Sequence, residues 1–393
     1  CAVVAGGRGA APAGAAFVNG GLGNVMEMDD IHRTSILHPG PVVIPAALAA
    51  AEALGASPAA FLDAVVRGFE AVIRVGASVG PGHYAKWHNT STCGPFGAAA
   101  AVAALRGCSE DRTVWALGNA GAQAAGPWRC RHERVPTKQL HTARAAESGL
   151  AAGWLAAEGF AGPEGMLEGA QGFYEATAPD ASPEVVTADP SGPWRIWEVS
   201  FKPWAACRHA HPTIDAALLL RARGVPEGAR LRVETYADAV AFCDRPHPET
   251  EGEAKFSLQH AVAVVLAEGP PALAHFRPEA AARPDLAALR ARVEVAEAPA
   301  LTAAYPARYG AAVTAVAPDG TEMRAEAPDA LGDPDNPVTE AQLVEKAEAL
   351  ARWGGFSPAQ AARLAEAALA LPEAATLDAF AAALADLPQE DPA

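Results

Sequence analysis

Four stretches of the chain gather side chains that can move protons or hold anions. The first is Glu27-Met28-Asp29-Asp30-Ile31-His32, followed by His38-Pro39-Gly40. Its carboxylates and two imidazoles lie close together in a loop-like stretch. A carboxylate beside an imidazole fixes its tautomer and raises its pKa, which makes a proton shuttle. Asp and His also bind hard metal ions, so Asp29, Asp30, His32 and His38 could equally serve a metal-dependent hydrolase. The plain alternative is helix capping by the aspartates, with the histidines at the surface.

The second stretch runs from Lys86-Trp87-His88 to Gly94-Pro95-Phe96-Gly97 and feeds the N-terminus of a helix made almost wholly of Gly and Ala. Unpaired backbone N–H groups at such an end favour a carboxylate, which would place His88 beside a bound anion. A capping loop with a surface histidine is the alternative. The third is Thr137-Lys138-Gln139-Leu140-His141, with Arg131, His132 and Arg134 before it and Arg144 after it. Such a basic cluster either clamps carboxylates or forms a solvated loop. The fourth runs from Lys202 through Cys207-Arg208-His209-Ala210-His211 to Asp215. Cys207 is a nucleophile or, more simply, a buried inert thiol. His209 and His211 lack a third metal ligand nearby.

The remaining features bound these readings. The 393 residues are 50% hydrophobic and carry a formal net charge of −16. That length buries a real core and predicts two or three domains. A chain this acidic is a poor binder of nucleic acid or anionic membrane, and an anionic substrate must meet a local positive cluster. The six cysteines contain no CxxC pair, so a zinc ribbon or iron–sulfur cluster has no evident ligand set. Reduced thiols in a cytoplasm are the expectation. No apolar run reaches the ~18 residues that a membrane span needs.

The positioning elements follow from periodicity. Residues 41–56, 58–80, 94–107, 109–125 and 142–159 read as helices. In the second of these, Phe61, Val65, Phe69 and Val72 recur at helical spacing behind a Ser57-Pro58 start. Near residue 195 the texture changes. Alternating runs at 230–236, 292–295 and 311–316 predict strands, and Pro318-Asp319-Gly320 predicts a hairpin returning over 321–325. Helices at 211–223 and 253–268 interleave with them, which makes an α+β module. After the breaker cluster 332–337 helix returns, with capping boxes at Thr339/Gln342 and Ser357/Gln360. The expected organisation is a helical part over 1–200, an α+β part over 201–335, and helices over 336–393 that pack back on the first part.

These segments, in this order, resemble the MmgE/PrpD family, which includes 2-methylcitrate dehydratase and cis-aconitate decarboxylase. The resemblance covers Asp29-Asp30 with His38-Pro39-Gly40, His88 with Gly94-Pro95-Phe96-Gly97, and Lys138-Gln139-Leu140-His141. It continues through Gly149-Leu150, Gly159-Phe160, Gly162-Pro163 and Lys202 to Asp215. Ala254-Lys255-Phe256-Ser257, Asp319-Gly320-Thr321 and Gly332 to Pro337 complete it. It implies a mainly α fold, with an all-helical domain built from both chain ends and an inserted α+β lid. It further implies a homodimer, an active site in the cleft between domain and lid, and no metal or organic cofactor. Typical members carry further residues before the point matching Cys1, so the family's first helices are expected to be missing.

By the same resemblance His38, His88, Lys138 and Lys202 line the site, and Cys207 stands where the decarboxylases have a histidine. Three positions depart from the pattern. Glu27 replaces a common Asp, Ile31 a common Thr, and His260 a common Tyr that faces substrate. The resulting expectation is a cytoplasmic lyase that abstracts a proton next to a carboxylate of a small di- or tricarboxylic acid. A hydro-lyase comes first, with an epimerase or decarboxylase as alternatives. His38, His88, Lys138 and Asp30 are the expected catalytic residues. Lys202, Cys207, Arg208, His260, Glu27 and Asp29 are expected to bind substrate. A non-catalytic binding protein of the same fold is a further alternative.

Overall fold

The computed structural model describes residues 1–133 and 135–388. Arg134, one of the basic residues ahead of Lys138, lies outside them, as does the polar end from residue 389 onward. The fold is mainly α. The chain forms two compact units, Cys1–Val199 with Glu340–Ala393, and Ser200–Thr339.

The first unit is helical. Its principal helices are α1 (Pro12–Val25), α2 (Gly40–Leu54), α3 (Pro58–Ser78), α4 (Asn89–Leu105), α5 (Glu110–Gly121) and α6 (Thr137–Ala157). In α3 the Ser57 hydroxyl accepts from Ala60 N at 3.2 Å, Pro58 opens the first turn, and Phe61, Val65, Phe69 and Val72 are buried. The central helix is α4, which packs against α2, α3, α5 and α6. Its Gly and Ala residues permit this crowding. A Cβ on Gly97 would lie 2.7 Å from the Gly68 carbonyl oxygen of α3, and one on Gly149 of α6 would lie 2.6 Å from the Pro95 carbonyl oxygen. Either replacement overpacks the core, at a cost of about 1–3 kcal/mol.

Two helices start earlier than periodicity predicts, and both shifts bear on the site. α4 takes in Asn89 to Thr92, and α6 takes in Thr137 to His141. These polar stretches read as loops because no apolar repeat marks them. In the structure they are the first turns of helices whose later turns are buried, and tertiary packing supplies the helical stability. α1 carries no helical signal in the sequence, since glycine interrupts its pattern at 14, 20, 21 and 23.

Residues 340–388 complete this first unit with α9 (Glu340–Trp353), α10 (Pro358–Leu369) and α11 (Asp378–Leu384), counting after α7 (His211–Ala222) and α8 (Leu258–Glu268) of the second unit. The predicted capping box at Ser357 and Gln360 is formed. Ala5 N donates to Leu384 O and Gly7 N to Ala385 O, both at 3.1 Å, so the two chain ends meet.

The second unit is built on a four-stranded sheet of β1 (Arg230–Thr235), β2 (Val293–Glu297), β3 (Ala311–Val316) and β4 (Glu322–Ala327), in the order β2-β1-β3-β4. β1 and β2 run parallel and the other neighbours antiparallel. Leu231, Val233 and Thr235 are buried and Arg230 and Arg232 are exposed, as the alternation requires. The β3–β4 hairpin turns at Gly320, whose φ is +87°, while Asp319 Oδ1 accepts from Thr321 N at 2.9 Å. α7 packs on β3, β4 and α8.

Candidate active site

In the first unit the loop between α1 and α2 is pinned from several directions. Asn24, fully buried at the end of α1, donates from Nδ2 to Asp29 Oδ2 at 2.7 Å. Lys346 of α9 donates to the Met28 carbonyl at 2.7 Å. Glu27 sits at a φ of +56°, an uncommon conformation for a residue with a Cβ that the surrounding structure must hold in place.

The two adjacent aspartates do different work. Asp29 Oδ2 lies 2.9 Å from His38 Nδ1, and its carboxylate is almost wholly buried. Asp30 turns its carboxylate to the start of α2, where Gly40 N donates to Oδ1 at 2.9 Å and to Oδ2 at 3.2 Å. The Asp30 carbonyl oxygen also lies 2.7 Å from His38 Nδ1. The carboxylate that orients the imidazole is therefore that of Asp29, and the side chain of Asp30, expected to be catalytic, is a helix cap. Two oxygen acceptors at Nδ1 favour the His38 tautomer with its proton there, an arrangement that can leave Nε2 as the accepting nitrogen. The His38 N–H donates to Thr90 Oγ1 at 3.0 Å, which ties this loop to the first turn of α4.

His88, the residue before α4, is 1% exposed, and its ring centroid is 6.4 Å from that of His38. Its ring also neighbours those of Trp128 and His141, with centroids 4.4 Å and 5.3 Å away. His88 Nδ1 is 3.1 Å from Nδ1 of His141 on α6. Burial pushes the His88 pKa well below its ordinary value, and the nearby Lys138 ammonium, His141 and His38 push it further. Burial and then Lys138 lower His141 too. The surroundings thus favour the neutral form of both rings. Lys138 Nζ donates to Glu27 Oε1 at 2.5 Å, so the two chain segments meet through an ion pair. Lys138 and His141, three residues apart on α6, share one helix face. That spacing was the available signal for His141, which the expected site did not include.

The rival metal set is not assembled. His32 uses Nδ1 on Ser35 Oγ at 2.7 Å and Nε2 on Glu198 Oε2 at 2.9 Å. Asp30 caps α2. Among the described residues no three His, Cys, Asp or Glu side chains are grouped so as to hold a metal ion.

In the second unit the Lys202–Asp215 stretch is largely internal. Lys202 is 1% exposed, and Cys207, also buried, donates its N–H to the Lys255 carbonyl at 2.9 Å. Arg208 was expected to bind substrate. Its guanidinium instead forms a buried ion pair with Asp333 and donates to the Leu331 carbonyl at 3.1 Å. His211 spans Arg208 and the Ala206 carbonyl, and His209 Nδ1 meets Tyr236 OH at 2.7 Å. His260 was expected to face substrate in place of a tyrosine. It is fully buried, with Nε2 on the His275 carbonyl at 2.7 Å and Nδ1 3.2 Å from Arg290 Nη1. Both are buried, and most of the polar atoms of each are engaged within the unit, Arg208 Nε being an exception. Ile31, in the first unit, is simply buried.

Residues 1–186 match the MmgE/PrpD N-terminal domain and residues 204–372 match the MmgE/PrpD C-terminal domain. The chain belongs to the MmgE/PrpD family. Among curated members, human cis-aconitate decarboxylase is 29% identical over 351 residues, covering 85% of this chain and 72% of that protein. Its mouse counterpart is 28% identical, covering 85% and 71%. A cis-aconitate decarboxylase-like protein of Aspergillus oryzae is 32% identical over 232 residues, which covers 55% of this chain and 48% of that protein. The chain therefore spans about half the length of that fungal relative. Within this family member no helix among the described residues is long and apolar enough to cross a membrane.

Proposed function

We propose that this MmgE/PrpD member is a lyase that moves a proton at the carbon next to a carboxylate of a small di- or tricarboxylic acid. The observation that carries this reading is the Asp29–His38 pair, set beside the buried neutral imidazole of His88. His38 is the base. The hydrogen beside a carboxylate is weakly acidic, so its removal needs a cation for the enediolate that develops, and Lys138 supplies it. Lys202 keeps the role of a second carboxylate ligand in this proposal. His88, neutral and buried, is suited to return a proton.

Expulsion of a β-hydroxyl after proton removal makes the enzyme a hydro-lyase of the 2-methylcitrate dehydratase kind, which is the first reading. Decarboxylation is the second, favoured by relatives named cis-aconitate decarboxylase. A homodimer, a cytoplasmic location and turnover without a cofactor belong to the same proposal. The test is to follow 2-methylcitrate, cis-aconitate and iminodisuccinate by NMR in heavy water. Loss of water, loss of CO₂ or deuterium uptake with inversion separates dehydratase, decarboxylase and epimerase. Absence of both turnover and deuterium uptake with all three acids would sink the lyase reading in favour of a binding protein. Activity that disappears on exhaustive chelation would return the metal-dependent alternative.

A further inference from the structure

Two imidazoles that meet Nδ1 to Nδ1 at 3.1 Å, as His88 and His141 do, leave room for one proton between them. Their tautomers are then complementary. If His141 donates, His88 carries its other proton on Nε2; if His88 donates, its Nε2 is bare and that of His141 is protonated. His141 also lines an open cleft of about 460 Å³, whose polar wall includes Ser91, Gln123, Thr137, Arg144 and Ser148. The Arg144 charge in that wall is paired with Glu147. His88 is 1% exposed and does not line this cleft, whereas its ring partner His141 does.

We infer that His141 is the second half of a proton relay, which joins the buried His88 to solvent in this cleft. The inference rests on the proposed lyase reading and names how that site is reloaded with protons. In the delivering direction the His88 Nε2–H bond breaks and the proton passes to substrate. At the same time the proton on His141 Nδ1 moves to His88 Nδ1, and His141 Nε2 takes a proton from water in the cleft. One proton crosses, the donor water is left as hydroxide for the buffer to neutralise, no atom is oxidised or reduced, and the starting tautomers return when a proton removed from substrate leaves by the opposite passage. The surroundings favour this coupled movement over a free imidazolium. Burial, Lys138 and His38 all disfavour positive charge on His88, with Asp29 the opposing group. A neutral imidazole can give up one proton cheaply only by gaining another.

The experiment compares the full chain with His141→Ala and His141→Asn, using 2-methylcitrate and cis-aconitate in a weak buffer. His141→Ala should lower kcat by about 10²-fold with KM unchanged, and added imidazole should restore kcat in a saturating manner. His141→Asn keeps a hydrogen-bonding group but no transferable proton, so it should stay slow at every imidazole concentration. Wild-type kcat in folded His141→Asn would overturn the relay, as would a slow His141→Ala that imidazole does not rescue. If His141→Ala does not fold, His141→Asn decides. If the wild type neither turns over nor takes up deuterium into 2-methylcitrate, cis-aconitate or iminodisuccinate, the lyase reading fails by itself, and ¹⁵N NMR of the histidines then judges the relay. One Nδ1 of the pair should be protonated and the other bare; two bare Nδ1 atoms would overturn it.

Discussion

The His38–His88–His141–Lys138 cluster of the helical unit and the Lys202–His211 stretch of the α+β unit carry the same residue types and are put to different uses. In the first, the partners of titratable groups are other titratable groups. Asp29 holds His38, Glu27 holds Lys138, and His141 meets His88. In the second, backbone carbonyls and one buried carboxylate do much of the holding, beside the His209–Tyr236 and Arg208–His211 side-chain contacts. Arg208 binds the Leu331 carbonyl and Asp333, and His211 binds the Ala206 carbonyl. A charge bound to backbone fixes the chain, whereas a proton shared between side chains can move. The contrast predicts that substitutions in the first region lower turnover at small cost in stability, and that those in the second do the reverse.

The largest effect should come from Lys138→Ala. It should reduce turnover of the responsive acid by more than about 10³-fold, with a helical circular-dichroism spectrum and a cooperative unfolding transition retained. Since Lys138 helps to depress His88, the His88 pKa should also rise, which histidine NMR would read. Normal turnover in this variant would remove Lys138 from the chemistry. Next comes Asp333→Ala, which strands the Arg208 guanidinium, itself 2% exposed. Breaking a buried pair costs about 3–5 kcal/mol, so the urea midpoint should fall steeply or the protein should not accumulate. An unchanged midpoint would break the comparison from the other side. Third, Asp29→Asn should lower kcat by about 10²-fold while the midpoint moves little, because the imidazole keeps its place but loses the carboxylate that supports its charge.

How much of this was legible in the sequence varied with the physical signal. Amphipathic α3 was readable because Phe61, Val65, Phe69 and Val72 repeat at helical spacing, and the β3–β4 hairpin because Asp319-Gly320 dictates its turn. The first turns of α4 and α6 were not, because Asn89 to Thr92 and Thr137 to His141 lack an apolar repeat and are helical through packing. In the candidate site, residue types and neighbourhood exposed Asp29, His38, His88 and Lys138. They did not say which of two adjacent aspartates turns toward His38. That depends on Gly40 N reaching Asp30 and on Asn24 holding Asp29. Nor could they tell that Arg208 and His260 are internal, since Asp333 and the His275 carbonyl come from distant chain.

His260 gives a fourth and smaller effect, read through pH. Burial holds its pKa at about 4, below the ~6.5 of an exposed imidazole. Between those values the unfolded chain binds a proton that the folded chain refuses, so stability is fully present above about pH 6.5 and is lost as pH falls toward 4. From about pH 7.5 to about pH 5 the loss from this residue should be roughly 2 kcal/mol. His260→Gln should be less stable at neutral pH yet lack this part of the acid slope. An equal slope in both proteins would mean that His260 is not held neutral by the fold.

The smallest effect separates the neighbours Asp29 and Asp30. Asp30→Asn keeps an oxygen that can accept from Gly40 N but removes a negative charge from the positive end of α2, a site where such a charge contributes about 0.3–1 kcal/mol. The expected result is a small drop in the urea midpoint with kcat within about twofold of the wild type, since His38 keeps both the Asp29 carboxylate and the Asp30 carbonyl. A fall in kcat as large as that of Asp29→Asn would mean that the Asp30 carboxylate leaves its cap and joins the reaction. The distinction between a residue spent on the backbone and one free to exchange protons would then have to be drawn in the substrate-bound enzyme.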